Sequence, residues 1–171
     1  MSTVIKFSLD RASMNRAVRE LRDYEKWLRA KAIELSERLA ARGAVIASIE
    51  YARAFYTGPK YVDITVEERG EGRYAIIASG ETVLFLEFGA GVTYGYGHPQ
   101  AEEFGYGPGT FPSDKGHWDD PHGWWLPKEA QGSGEDKSRH TYGNAPTMAM
   151  YNAGRDMRLE LEAVAREVFS K

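Results

Sequence analysis

The chain has 171 residues, of which 42% are hydrophobic, and a formal net charge of -3. This length suits one domain with a buried core, and the acidic balance argues against a protein that coats nucleic acid. The absence of cysteine excludes a disulfide framework and a thiolate zinc site. The chain has neither a signal-peptide pattern at its start nor a run of ~20 apolar residues. We predict one soluble domain over residues 1–171, with a long loop excursion at about 89–146.

The first predicted elements are a short strand and a long helix. Residues 5–9 alternate between apolar and polar, which predicts a strand, and Asp10 can cap a following helix. Apolar residues then recur at steps of four and three over residues 14–56, which predicts a helix. Because a straight helix of this length spans ~65 Å, we expect a kink or break near Trp27–Lys31 or at Gly43, where glycine weakens a helix.

The same spacing indicates which face of the helix is buried. The stripe includes Leu35, Leu39 and Ile46, which we expect to face the core. Arg42 lies on the same stripe and is expected to emerge at its edge, near Gly43.

The next segments have the period of β-structure. Residues 62–67 alternate in polarity, and Tyr74, Ile76 and Ala78 are apolar at the same period of two. The turn sequence Arg-Gly-Glu-Gly at 69–72 lies between the two segments, which predicts a β-hairpin. Thr82 to Phe88 is predicted to be a third strand, or a strand with a helical turn.

A sharp change of composition follows. Residues 89–146 contain twelve of the 18 glycines, six of the 7 prolines, all 4 histidines and three of the 4 tryptophans. This segment is too aromatic for ordinary disorder. Residues 131–138 have the composition of a solvated tip, while the remainder is expected to pack either on its own domain or on a neighbouring subunit. A final helix is predicted to open at Pro146-Thr147, with Val164 and Val168 on its apolar stripe.

The glycines after Phe88 do not form a nucleotide-binding motif. Gly89, Gly91 and Gly95 lack the spacing of a dinucleotide loop, and no βαβ unit surrounds them. We instead expect Gly89 or Gly91 to have a positive φ angle, where the chain turns away.

A metal-dependent enzyme or binding protein is the alternative hypothesis. It would use His98, His117, Asp119 and His122, of which the last three lie close together in the sequence. Metal ligands must converge, and no regular element is predicted there that would bring them together. No nucleophile motif is present, so we predict no catalytic activity, no cofactor and no metal.

The order of elements resembles one protein family. The string Glu87-Phe88-Gly89-Ala90-Gly91, with Ala90 where threonine is usual, precedes a glycine-rich aromatic loop and a Pro-led helix. With Gly97-His98-Pro99 and Met150–Ala153, it resembles the siphophage and prophage tail-component family, that of the tenth gene product of a lambda-like phage. Its members are neck, tail-completion or head–tail joining proteins. The resemblance implies an α+β fold, in which a long N-terminal helix and a C-terminal helix pack on a small, mainly antiparallel sheet.

The resemblance also implies an assembly role without catalysis. Related proteins form rings, commonly of six, that complete or terminate the tail and join it to the head. The expected partners are copies of the chain, neck or connector proteins and tail-tube proteins. DNA is expected only to pass through an acidic lumen, and no membrane partner is expected. The expected location is the virion, after assembly in the bacterial host cytoplasm. A capsid-side adaptor or minor tail protein remains a further option.

Aromatic residues are enriched at interfaces, so those of the loop are candidates for contacts between subunits. Glu87 is a further candidate, because we expect it to lie exposed at a strand end. The candidate subunit-interface residues are Glu87, Phe88, Tyr94, Tyr96, Tyr106, Trp118, Trp124 and Trp125.

Overall fold

The computed structural model describes residues 8–56, 60–94, 97–106, 120–126 and 139–170. Within these ranges the chain is an α+β mixture of helices and two small antiparallel sheets, which confirms the predicted fold class. In chain order the elements are α1 (Arg11–Arg53), β1 (Asp63–Glu68), β2 (Tyr74–Ser79), α2 (Val83–Phe88), β3 (Trp124–Leu126), β4 (Arg139–Thr141) and α3 (Ala149–Phe169).

The N-terminus of α1 is capped as predicted. The Asp10 side chain accepts a hydrogen bond from the Ser13 backbone N–H at 2.9 Å, which satisfies one of the free donors of the first turn. The predicted preceding strand lies largely outside the described residues, and Leu9, its last residue, lies in a bend and is 89% exposed.

The helix α1 is continuous over 43 residues, so no break occurs near Trp27–Lys31 or at Gly43. Gly43 serves a different purpose from the expected one. A β-carbon on Gly43 would lie 2.5 Å from Met157 Sδ and 2.6 Å from Ile76 Cδ1. The missing side chain therefore lets α3 and β2 pack closely against the middle of α1.

The buried face of α1 differs from the predicted stripe. Ala40, Gly43, Ala47 and Tyr51 are buried, whereas Leu35, Leu39 and Ile46 are only half-buried. Small residues at the contact allow close approach of the neighbouring elements, and the larger apolar residues flank it. A rule that ranks positions by hydrophobicity alone misses such a contact.

Substitution of Ala47 tests this corrected face. Because Ala47 is fully buried, we expect Ala47→Leu to destabilise the fold by roughly 1–3 kcal/mol through overpacking. Ala41→Leu, the same change at an exposed position of the helix, is the control and should alter stability by less than ~0.5 kcal/mol. Urea unfolding measures both, and equal effects would mean that the buried face is assigned wrongly.

The predicted hairpin is confirmed. β1 and β2 pair antiparallel in a register that runs from Asp63 opposite Ser79 to Glu68 opposite Tyr74. The turn is closed by the Arg69 N–H, which donates to the Arg73 carbonyl at 2.8 Å.

The third predicted strand is instead the helix α2, Val83–Phe88. A short apolar run does not distinguish strand from helix by its composition. In the helix, Val83, Leu86 and Glu87 are all buried, as the spacing of three and four residues allows. Val83 and Leu86 join Tyr51 and Ala149 in the core, which lies between the end of α1, the hairpin and the start of α3.

The described part of the long loop packs back on its own domain. Gly89 and Gly91 have φ angles of 79° and 81°, which confirms the prediction of positive φ, but they follow a helix instead of a strand. Between them, Ala90 exchanges two backbone hydrogen bonds with Asn144, of 2.9 and 3.0 Å. β3 and β4 pair within the same loop.

The helix α3 begins at Ala149, slightly later than predicted, and lies antiparallel to α1. Trp27 contacts Phe169 with ring centroids 5.9 Å apart, while Arg42 forms ion pairs with Glu160 and Glu167. Arg42 is thus half-exposed at the edge of the contact, as expected. The predicted burial of Val164 and Val168 is confirmed, while Leu161, which lies one turn before Val164 in α3, is exposed.

Candidate functional site

The most unusual polar group of the described chain is the buried carboxylate of Glu87. The residue is 5% exposed, so the expected exposure at a strand end is wrong. Its Oε2 accepts hydrogen bonds from the Tyr51 hydroxyl at 2.9 Å and the Met150 N–H at 3.0 Å. Its Oε1 accepts from the Tyr151 N–H at 3.0 Å and lies 3.3 Å from His98 Nε2. Both carboxylate oxygens are therefore occupied by groups of the same chain.

Glu87 caps the helix α3 from another element. Met148, at the N-cap position, has a left-handed backbone with φ 56° and makes no capping bond with its own side chain. The free N–H groups of Met150 and Tyr151 in the first turn bind Glu87 instead. A negative carboxylate at the positive end of a helix is electrostatically favourable. Glu87 thereby joins α2 to the start of α3 and to the end of α1.

His98 is held in one orientation beside this carboxylate. Its Nδ1 accepts a hydrogen bond from the Gln100 N–H at 3.1 Å, so the proton that faces Glu87 lies on Nε2. The ring also packs on Phe88, with centroids 4.3 Å apart, and on Tyr151, at 5.7 Å. These contacts indicate a structural histidine that anchors the turn at 97–106.

The ionisation of Tyr51 is linked to the same cluster. Burial raises the pKa of the Tyr51 hydroxyl, and the charge and hydrogen bond of Glu87 raise it further. The hydroxyl is therefore held protonated as the donor to Glu87.

A pH dependence follows for Tyr51. Because its pKa is higher in the folded than in the unfolded state, its contribution to stability is complete below pH ~10 and is lost above it. We expect the wild-type chain to lose up to ~1.4 kcal/mol per pH unit more than Tyr51→Phe above pH 10. Urea unfolding between pH 8 and 11 measures this difference, and parallel pH profiles of the two proteins would contradict the assignment.

An open depression of about 390 Å³ lies beside Glu87. We call it the aromatic depression; its apolar lining includes Leu84, Phe88, Phe104, Tyr106 and Met150. The Phe88 ring packs on two other lining residues, with ring centroids 4.3 Å from Tyr106 and 5.8 Å from Phe104. Because the Glu87 oxygens are already bonded, the depression offers apolar surface rather than a reactive group. It suits an apolar side chain.

The residues of the metal hypothesis are not brought together where they are described. His98 is buried against Glu87, while the His122 side chain is 92% exposed and lies 3.1 Å from Asp120. His117 and Asp119 lie outside the described residues. In the part of the chain that the structure describes, no group of three or more His, Asp or Glu side chains is placed to hold a metal ion.

The predicted interface residues have different surroundings. Phe88 and Trp124 are buried, and Tyr106 is half-buried. Tyr94 and Trp125 are 50% and 63% exposed, and so remain available for contacts between molecules. Tyr96 and Trp118 lie outside the described residues. Leu84 and Phe104 are also exposed but were not predicted as interface residues, because apolar residues are expected to be buried.

Comparison of the chain with protein-family models, with curated proteins and with solved structures gives no match.

Among the described residues, none of the helices is both long and apolar enough to cross a membrane.

Proposed function

We propose that the chain is a structural subunit of a phage neck or tail end, and that it forms a ring that completes the tail and joins it to the head. The observation that carries this proposal is an exposed apolar face on α1. Met14, Val18, Leu21 and Leu28 lie on one predicted stripe and are 41–56% exposed. Contiguous exposed apolar surface marks an interaction site.

The string that carries the family resemblance also supports a structural role. Glu87 caps α3, Phe88 lines the aromatic depression, and Gly89 and Gly91 turn the chain towards β4. Each of these residues serves packing or backbone geometry. The proposal accordingly assigns no catalytic activity, no metal and no cofactor to the chain.

The proposed assembly has copies of the chain as its first partners, commonly six in a ring. Neck or connector proteins and tail-tube proteins would lie on either side. DNA would pass through the lumen, where a predominance of acidic side chains limits binding to phosphates. The proposed location is the virion, after assembly in the bacterial host cytoplasm.

The test is a concentration series followed by light scattering and negative-stain electron microscopy. We expect monomers at low concentration, and closed rings with a central channel at high concentration or on addition of purified tail tubes. A tight two-fold dimer at every concentration would contradict the proposal, because isologous contacts do not propagate around a ring.

A further inference from the structure

The N-terminal part of α1 extends beyond the other helices and strands that the structure describes. Because α3 ends at Phe169, beside Trp27, residues 11–26 continue past it for about 24 Å at ~1.5 Å per residue. We call residues 11–30 the α1 arm. Its exposed apolar residues are Met14, Val18, Leu21, Tyr24, Trp27 and Leu28.

The α1 arm is also basic, although the whole chain is acidic. Residues 11–30 contain six arginines and lysines against three acidic residues, while the whole chain has a net charge of -3. A partner for this arm should therefore combine apolar and acidic surface.

The aromatic depression has this complementary character. Leu84 and Phe104 in its lining are 41% and 57% exposed. Residues 74–106, which supply most of its lining, contain no lysine or arginine. Glu102 and Glu103 are exposed in the turn that carries Phe104.

The two surfaces cannot meet within one molecule. Leu21 lies in the arm, whereas Tyr51 lines the depression, and both belong to the one continuous helix α1. Thirty residues of helix separate them by ~45 Å. An arm that occupies the depression must therefore come from a second molecule.

We propose that the α1 arm of one subunit docks in the aromatic depression of the next, with its apolar residues on Leu84 and Phe104 and its basic residues facing Glu102 and Glu103. This is a helix-in-groove contact between two different surfaces of the same chain. Such head-to-tail contacts generate a ring if the rotation closes and a filament if it does not. The inference rests on the proposed function only for the closure of the ring.

Charge reversal on each surface tests the docking. Arg22→Glu/Lys26→Glu reverses the arm, and Glu102→Lys/Glu103→Lys reverses the turn. Each variant alone should associate at least tenfold more weakly than wild type in sedimentation experiments. An equal mixture should associate within about threefold of wild type, because the arm of each variant complements the depression of the other.

Arg158→Glu/Arg166→Glu on α3 is the matched control. It changes the net charge as the arm variant does, at two exposed positions outside both surfaces, and should leave association unchanged. Circular dichroism checks that every variant is folded. Failure of the mixture to recover, or an equal loss in the control, would overturn the docking.

Cysteine cross-linking provides a second measurement, because the chain has no cysteine of its own. Leu21→Cys/Phe104→Cys should give a ladder of disulfide-linked oligomers on a non-reducing gel. Leu159→Cys/Phe104→Cys, with one partner moved to an exposed position of α3, should give none. Equal ladders from both variants would count against docking of the arm.

The outcomes separate the docking from the proposed function. If both charge-reversed variants still form rings as the wild type does, the proposed function stands and the docking is overturned. Open filaments with recovery in the mixture would support the docking and contradict the ring. A chain that stays monomeric at all concentrations, or an arm that binds only another phage protein, would overturn the docking.

Discussion

Replacement of Glu87 by alanine is expected to destabilise the fold by roughly 3–5 kcal/mol, as expected when one partner of a buried polar cluster is removed. The change leaves the N–H groups of Met150 and Tyr151 and the hydroxyl of Tyr51 without their acceptor. It also removes the cap of α3 and the favourable charge at that helix end. Urea unfolding at neutral pH, monitored by circular dichroism, measures the loss.

Two variants control this prediction. Glu103→Ala removes an exposed glutamate and should change stability by less than ~0.5 kcal/mol. Glu87→Gln keeps the size of the side chain but turns an amide NH₂ towards donors, so it should still lose at least ~1 kcal/mol. A Glu87→Ala protein as stable as wild type would show that water replaces the carboxylate and that Glu87 does not hold α2 to α3.

Gly91→Ala is expected to destabilise the fold by roughly 2–5 kcal/mol, from an unfavourable left-handed backbone and from steric overlap. The added β-carbon would overlap the Tyr142 carbonyl oxygen and lie 3.1 Å from the ring of Trp124. The pairing of Ala90 with Asn144, which holds the loop to α2, would have to shift. Thermal unfolding measures the effect.

Gly105 offers a close control, because its φ angle of 77° nearly equals the 81° of Gly91. Among the residues that the structure describes, none lies within 4 Å of a β-carbon on Gly105, so Gly105→Ala should cost only the unfavourable backbone, ~1–2 kcal/mol. Equal losses for the two variants would show that the close approach of Tyr142 to Gly91 does not limit this position.

The sequence was sufficient where structure depends on neighbouring residues. The Asp10 cap, the hairpin with its turn at 69–72 and the positive φ of Gly89 and Gly91 all follow from local hydrogen bonds and local sterics. The helices α1 and α3 were likewise predicted, because the helical period is directly visible in the spacing of apolar residues along the chain.

Residues distant in sequence decided the remainder. Val83–Phe88 is a helix because the helix buries one of its faces on Tyr51 and Ala149. The residues of this segment alone favour a strand, and their preference does not reveal these contacts. The buried face of α1 is lined by Ala40, Gly43 and Ala47 because α3 and β2 approach closely there. Hydrophobicity along α1 does not report that distance.

The candidate site shows the same division. Gly89, Gly91 and Tyr106 lie in the segment 89–146, which the sequence distinguishes by its change of composition. The role of Glu87 was not visible, because its partners come from α1, from the turn at 97–106 and from the start of α3. A carboxylate looks the same in a sequence whether it is solvated or caps a distant helix. The tertiary packing brings the free N–H groups of α3 to α2 and removes water from them. Only this packing decided that Glu87 caps α3 and holds it to α2.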